Sequence, residues 1–125
     1  MEIWKDIEGF VGYYKISNFG NVKSVKRIIN YSNNKSRAYN SVIIKSHICG
    51  RGYNVIRLTK DKLKKTFYIH QLVAMAFLNH KPNGNTIVVD HIDNNKNNND
   101  LLNLRLLSNM ENIMRYHNSK QNTNK

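Results

Sequence analysis

The chain's 125 residues, 40% of them apolar and 10% aromatic, suffice for one hydrophobic core or two small lobes and exclude a purely disordered basic tail. Twenty Lys and Arg against eight Asp and Glu give a formal charge of +12, so an acidic partner is expected before any motif is read. Apolar runs too short to span a bilayer, an opening Met1-Glu2-Ile3-Trp4-Lys5-Asp6 without a secretion signal and a single cysteine predict a soluble protein of the reducing cytoplasm, with no membrane partner, internal disulfide or CxxC zinc site.

Residues 13–16 and 22–28 read as strands joined by Ser17-Asn18-Phe19-Gly20-Asn21, where Asn and Gly supply the positive φ of a tight turn. Residues 30–41 hold almost no apolar side chains and read as an exposed loop, with a boundary between lobes there. Ten Lys and Arg and no acid lie from Gly9 to Lys60, interleaved with Tyr13, Tyr14, Phe19, Tyr31 and Tyr39. Such a mix suits phosphate contacts plus stacking, and it equally fits a solvated basic face over core aromatics. Cys49, beside Gly50, is expected to be a small buried apolar residue.

Residues 53–59 and 65–69 form a second β-rich pair around a longer loop at 60–64. The period then changes: Leu72, Val73, Met75, Ala76 and Leu78 predict a largely buried helix from about His70 to Leu78, broken by Pro82-Asn83-Gly84. Residues 86–91 make a strand, an asparagine-rich loop runs to Asp100, and residues 104–107 make a second strand. Ser108-Asn109-Met110-Glu111 has the capping-box form and predicts a helix to about Tyr116, with a frayed tail beyond.

If the last two strands pair and that helix crosses them, Asp90 and His91 face it and Asn112 converges on Asp90. One carboxylate, one amide oxygen and a substrate phosphate suffice for a hard cation such as Mg²⁺, which keeps several waters. A neutral His91 can take a proton from an attacking water, which makes this a phosphodiesterase arrangement. Asp-His dipeptides are nonetheless common, and a strand-end histidine also serves as a satisfied structural residue. His70 reads as structural, and Asn94, Asn95 and Asn97 to Asn99 read as loop filler in a chain with 21 asparagines.

Val89-Asp90-His91-Ile92-Asp93, with Asn103 and Asn112 following, resembles the His-Asn-Asn (HNH) endonucleases. Tyr68-Ile69-His70-Gln71-Leu72-Val73-Ala74-Met75-Ala76-Phe77 and Asn103-Leu104-Arg105 are similar to their phage and intron homing branch. Ile3-Trp4-Lys5-Asp6-Ile7-Glu8-Gly9-Phe10 and Tyr14-Lys15-Ile16-Ser17-Asn18-Phe19-Gly20-Asn21-Val22 resemble the NUMOD4 DNA-binding element that often precedes such nucleases. The resemblance implies an α+β fold: a β-hairpin-rich N-terminal lobe at residues 1–45, a ββα-metal (His-Me finger) core at 46–118 and a tail at 119–125. It implies His91 as the general base, Asn103 orienting its loop, and Asp90 and Asn112 holding one Mg²⁺ or Mn²⁺. The products would be 5′-phosphate and 3′-hydroxyl ends. Homing enzymes of this branch usually continue into a further DNA-binding module, and Gln71 stands where a basic residue is usual.

The expected partner is double-stranded DNA, met by Lys15, Lys23, Lys26, Arg27, Arg37, Arg51, Arg57, Arg105 and Arg115, with Arg105 equally suited to packing inside its hairpin. A monomer or weak dimer in the host cell of a phage or mobile element is expected. The competing readings are a non-catalytic DNA-binding protein on the same scaffold and an RNA-binding or ribosome-associated domain. The latter gives no reason for an Asp-His pair opposite an Asn-bearing helix.

Overall fold

Short strands dominate because most apolar residues fall in brief β-rich runs and, among the described residues, only 69–77 carry apolar side chains at helical spacing. The computed structural model describes residues 1–82 and 86–108. The first sheet has the order β1 (Trp4–Asp6), β2 (Tyr14–Ser17), β3 (Val22–Ser24), β6 (Ile43–Ile44), all antiparallel. Ile16 pairs with Val22 on its buried face, while Lys15 pairs with Lys23 on the other face, the alternation expected of a sheet wet on one side. The turn between β2 and β3 has Gly20 at φ +86°.

Residues 22–28 do not form one strand. The ladder stops at Ser24 and resumes as β4 (Arg27–Asn30), which pairs with β5 (Ser36–Tyr39). The expected loop at 30–41 therefore holds the end of β4, the turn and all of β5, a two-stranded ribbon that remains largely exposed. It escapes an apolar-alternation reading because most of its side chains are exposed; Tyr13, Arg27, Arg37 and Tyr39 hold it by stacking, with the Arg27 guanidinium 4.4 Å from the Tyr13 ring centre and that of Arg37 5.0 Å from Tyr39. The chain then returns to the first sheet through β6, so the excursion is an insertion into that sheet.

A second sheet has the order β7 (His47–Ile48), β8 (Asn54–Lys60), β9 (Leu63–Tyr68). The connection between β8 and β9 is shorter than the sequence suggested. Asp61 and Lys62 alone make it, both at positive φ (52° and 69°), the signature of a type I′ turn. Cys49 is not buried: it is half-exposed in the turn before β8, where its N–H donates to the Tyr53 carbonyl.

Helix α1 (Ile69–Phe77) starts directly from β9 and buries Ile69, His70, Leu72, Val73 and Ala74. Its end comes before Pro82: Asn79 takes φ +56° and the His80 N–H turns back to the Ala74 carbonyl. The last pair, β10 (Ile87–His91) and β11 (Leu104–Ser108), is antiparallel, with a 3₁₀ turn at Leu101–Asn103 before β11. The helix expected after Ser108 lies outside the described residues. No described helix is long and apolar enough to cross a membrane.

One core joins these pieces. Ile7, Phe10, Ile16 and Val22 of the first sheet region pack with Ile56, Leu58, Ile69, Leu72, Val73 and Leu104. The Tyr14 hydroxyl adds a polar tie, donating to the Thr59 carbonyl and accepting from its N–H, both at 3.2 Å.

Candidate active site

Strand β10 ends on Asp90 and His91, and antiparallel register sets Arg105 opposite Asp90 and Leu104 opposite His91. The Arg105 Nε donates to Asp90 Oδ2 at 2.9 Å, so a carboxylate only 8% exposed has a charge partner across the hairpin. His91 is equally buried. Its Nε2 lies 2.9 Å from Asn99 Oδ1, and its ring sits 5.0 Å from His70 and 6.1 Å from Tyr53. Burial, helped by His91 and His80 nearby, pushes the His70 imidazole down to about 4, so it is neutral at pH 7.

The loop between the two strands is organised by its own polar side chains. Asn103 Nδ2 donates to Asp93 Oδ1 at 2.9 Å and to the Asn98 carbonyl at 2.8 Å, while its Oδ1 accepts from the Asp93 N–H. Asn98 donates to Asp93 Oδ2, Asn95 Oδ1 accepts from the Asn97 N–H, and Asn94 takes φ +63°. The bond from Asn98, then those from Asn95 and Asn103, hold the Asp93 carboxyl below its ordinary range. These asparagines are the frame of the loop and not filler. Asn99, buried, bonds His91, and Asn94 lines the cleft itself.

Asp90 and His91 open onto a cleft of about 750 Å³ whose walls include Arg51, Tyr53, His70 and Lys96. Lys96 donates to the Arg51 carbonyl at 3.0 Å and lies 4.7 Å over the Tyr53 ring. A buried carboxylate and imidazole in a cleft lined by three cations, Arg51, Lys65 and Lys96, suits a phosphate-bearing chain. Among the described residues no three His, Cys, Asp or Glu side chains converge as a metal cage. The donor chemistry still fits a hard cation that keeps its waters, because Asp90 brings a carboxylate to the cleft and a phosphate can complete the shell. Asn112, the expected second ligand, and Arg115 lie outside the described residues.

Of the other cations singled out from sequence, Arg51 stands at the cleft and Arg105 is engaged with Asp90. Lys15 pairs with Asp6 at 3.7 Å, Lys23 lies 4.3 Å over the Trp4 ring, and Lys26 is exposed between β3 and β4. Arg27 and Arg37 belong to the β4–β5 ribbon, and Arg57 is exposed on the outer side of β8. Sequence reasoning missed Lys96 and Tyr53 at the cleft and Asn99 behind His91. Tyr53 lies in a segment read only for strand content, Lys96 sits among loop asparagines to which no role was given, and nothing in composition separates Asn99 from its neighbours.

Residues 2–59 match the family model of the NUMOD4 motif and residues 67–114 that of the HNH endonuclease. The chain is 40% identical over 114 residues to DNA endonuclease I-HmuI of Bacillus phage SP01, a match covering 89% of this chain and 57% of that protein. An uncharacterised HNH endonuclease of Acanthamoeba polyphaga mimivirus is 36% identical over 114 residues, covering 90% of this chain and 25% of that one. The fold superposes on a solved structure of DNA binding and cleavage by the HNH homing endonuclease I-HmuI with a TM-score of 0.72 and 35% identity, covering 94% of this chain and 59% of the other. The chain thus spans less than three-fifths of the length of either curated relative.

Proposed function

The chain belongs to the HNH endonuclease family and carries a NUMOD4 motif ahead of its HNH segment, and from this we propose that it is a metal-dependent endonuclease hydrolysing phosphodiester bonds in double-stranded DNA. The observation that carries the reading is the buried Asp90–His91 pair at the end of β10, opening onto a cleft rimmed by Arg51 and Lys96.

In this reading His91 takes the proton of a water aimed at the phosphorus, since a neutral imidazole is the side chain suited to that task near pH 7. Asp90, with Asn112, would hold one Mg²⁺ or Mn²⁺. The chemistry it would supply when bound is Lewis-acid polarisation of the scissile phosphate and stabilisation of the leaving 3′ oxygen, and the expected ends are 5′-phosphate and 3′-hydroxyl. Arg51 and Lys96 grip flanking phosphates, and Asn103 keeps the loop between His91 and β11 in shape. One such site per chain makes a nick the unit of work, so a double-strand cut needs two chains or two visits. A monomer or weak dimer acting inside the host cell of a phage or mobile element suits this chemistry.

Incubation with supercoiled plasmid and Mg²⁺ or Mn²⁺ tests it. Relaxed or linear product is expected, abolished by EDTA and reduced by about 100-fold or more in His91→Ala, the order expected when a general base is removed. Product formed equally well by His91→Ala removes the mechanism. The Arg105–Asp90 ion pair favours one alternative, a non-catalytic DNA-binding protein on an HNH scaffold, because it already neutralises the carboxylate. Plasmid that is bound but never cut with either ion is the signature of that alternative.

A further inference from the structure

The hydrogen bond between His91 Nε2 and Asn99 Oδ1 joins two side chains that are each only 6% exposed, so neither can exchange it for water without cost. An amide oxygen accepts and cannot donate, so the proton of this bond sits on the imidazole. In a neutral ring that leaves Nδ1 as the nitrogen with the lone pair.

Asn99 is itself held on two sides. Immediately before it, the Asn98 carbonyl accepts from Asn103 Nδ2. From the N-terminal motif comes the turn between β2 and β3: a Cβ on Gly20 would lie 3.0 Å from both the Cβ and the carbonyl oxygen of Asn99, and the Leu101 N–H donates to the Asn18 carbonyl at 2.8 Å. A Cβ there would crowd Asn99, and at φ +86° any side chain is strained, so glycine suits the close approach. The turn is rigid in its own right, because Ser17 Oγ accepts from the N–H groups of Phe19 and Asn21 and the Gly20 N–H donates to the Ser17 carbonyl. Tyr53 and His70 border the imidazole itself.

We infer that Asn99 is a positioning residue that fixes His91 as its Nε2–H tautomer, with Nδ1 as the proton acceptor, and that the Asn18–Gly20 turn of the N-terminal motif holds Asn99 in place. The inference rests on His91 being the base of the proposed hydrolysis, but the tautomer can be read without any turnover.

The test is ¹⁵N NMR of the histidine rings in the metal-free full chain, at a pH where His91 is neutral. Wild-type His91 is expected to carry its proton on Nε2. Asn99→Ala should give a mixture of tautomers, a kcat lower by about 10- to 100-fold as for other supporting partners of reactive side chains, and a KM for plasmid within about twofold of wild type. Asn99→Asp, which keeps an acceptor oxygen in the same place, should restore the single tautomer and most of kcat. Gly20→Ala, acting from the other motif, should reproduce the mixture of tautomers. An Nδ1–H tautomer in the wild type, or an unchanged tautomer in folded Asn99→Ala, overturns the role of Asn99. A folded Gly20→Ala with the wild-type tautomer overturns the part given to the turn. A wild-type chain with the expected tautomer that cuts no plasmid would instead remove the endonuclease reading while leaving the positioning intact.

Discussion

His70 lies between Tyr53, Tyr68 and His91 with its ring buried, and its pKa of about 4 stands below the 6.5 of the exposed side chain. The unfolded chain therefore binds more protons between those values, and stability must fall as pH drops from about 6.5 to about 4. The shift corresponds to about 3 kcal/mol once pH is below both values. Urea midpoints measured across this window should decline in the wild type and decline clearly less in His70→Phe; an equal slope in both would place the proton uptake elsewhere. Asp93 works in the other direction of charge: its depressed pKa, set first by the Asn98 bond, contributes stability that is present above the ordinary carboxylate value and lost as pH falls through the folded one. Asp90 and His91 were legible in the sequence because they are adjacent at a strand end. Asn99 was not, because its partner is eight residues away across a loop of near-identical side chains, and only burial distinguishes it.

At the scale of elements, hairpin geometry accounts for most of what sequence pattern misjudged. The β8–β9 turn places Lys62 at φ +69°, where a side chain is disfavoured, with Asp61 before it in a position that tolerates positive φ. Lys62→Gly should raise stability by up to about 1 kcal/mol, as expected for relief of a left-handed residue, measured as a higher urea midpoint at unchanged m. A lower midpoint would mean that the Lys62 side chain makes an interaction worth more than the strain. Strands β2 and β8 and helix α1 were readable because one face of each is apolar and buried against the common core. The β4–β5 ribbon was not, because it lacks a fully buried face and is held by Arg27 and Arg37 on aromatic rings, which leaves no hydrophobic period to read.

Over the whole molecule, eleven of the twenty Lys and Arg lie at or before Lys60 against three of the eight acids, so the excess charge is greatest in the half that holds the NUMOD4 motif. Neutralising Lys15, Lys23, Lys26 and Arg27 together should weaken DNA binding and flatten its dependence on log salt by roughly one unit for each phosphate that is no longer neutralised. Lys26, exposed, should account for more of that change than Lys15, whose charge is already met by Asp6. An unchanged salt slope would put the DNA on another face. The two matched segments are distinct sequence families, yet the Gly20 turn lies so close to Asn99 that a Cβ on it would stand 3.0 Å from that residue. A motif transplanted from a relative would therefore arrive with a turn shaped for a different loop. The unit that carries this contact is neither motif alone but the turn together with the loop that meets it.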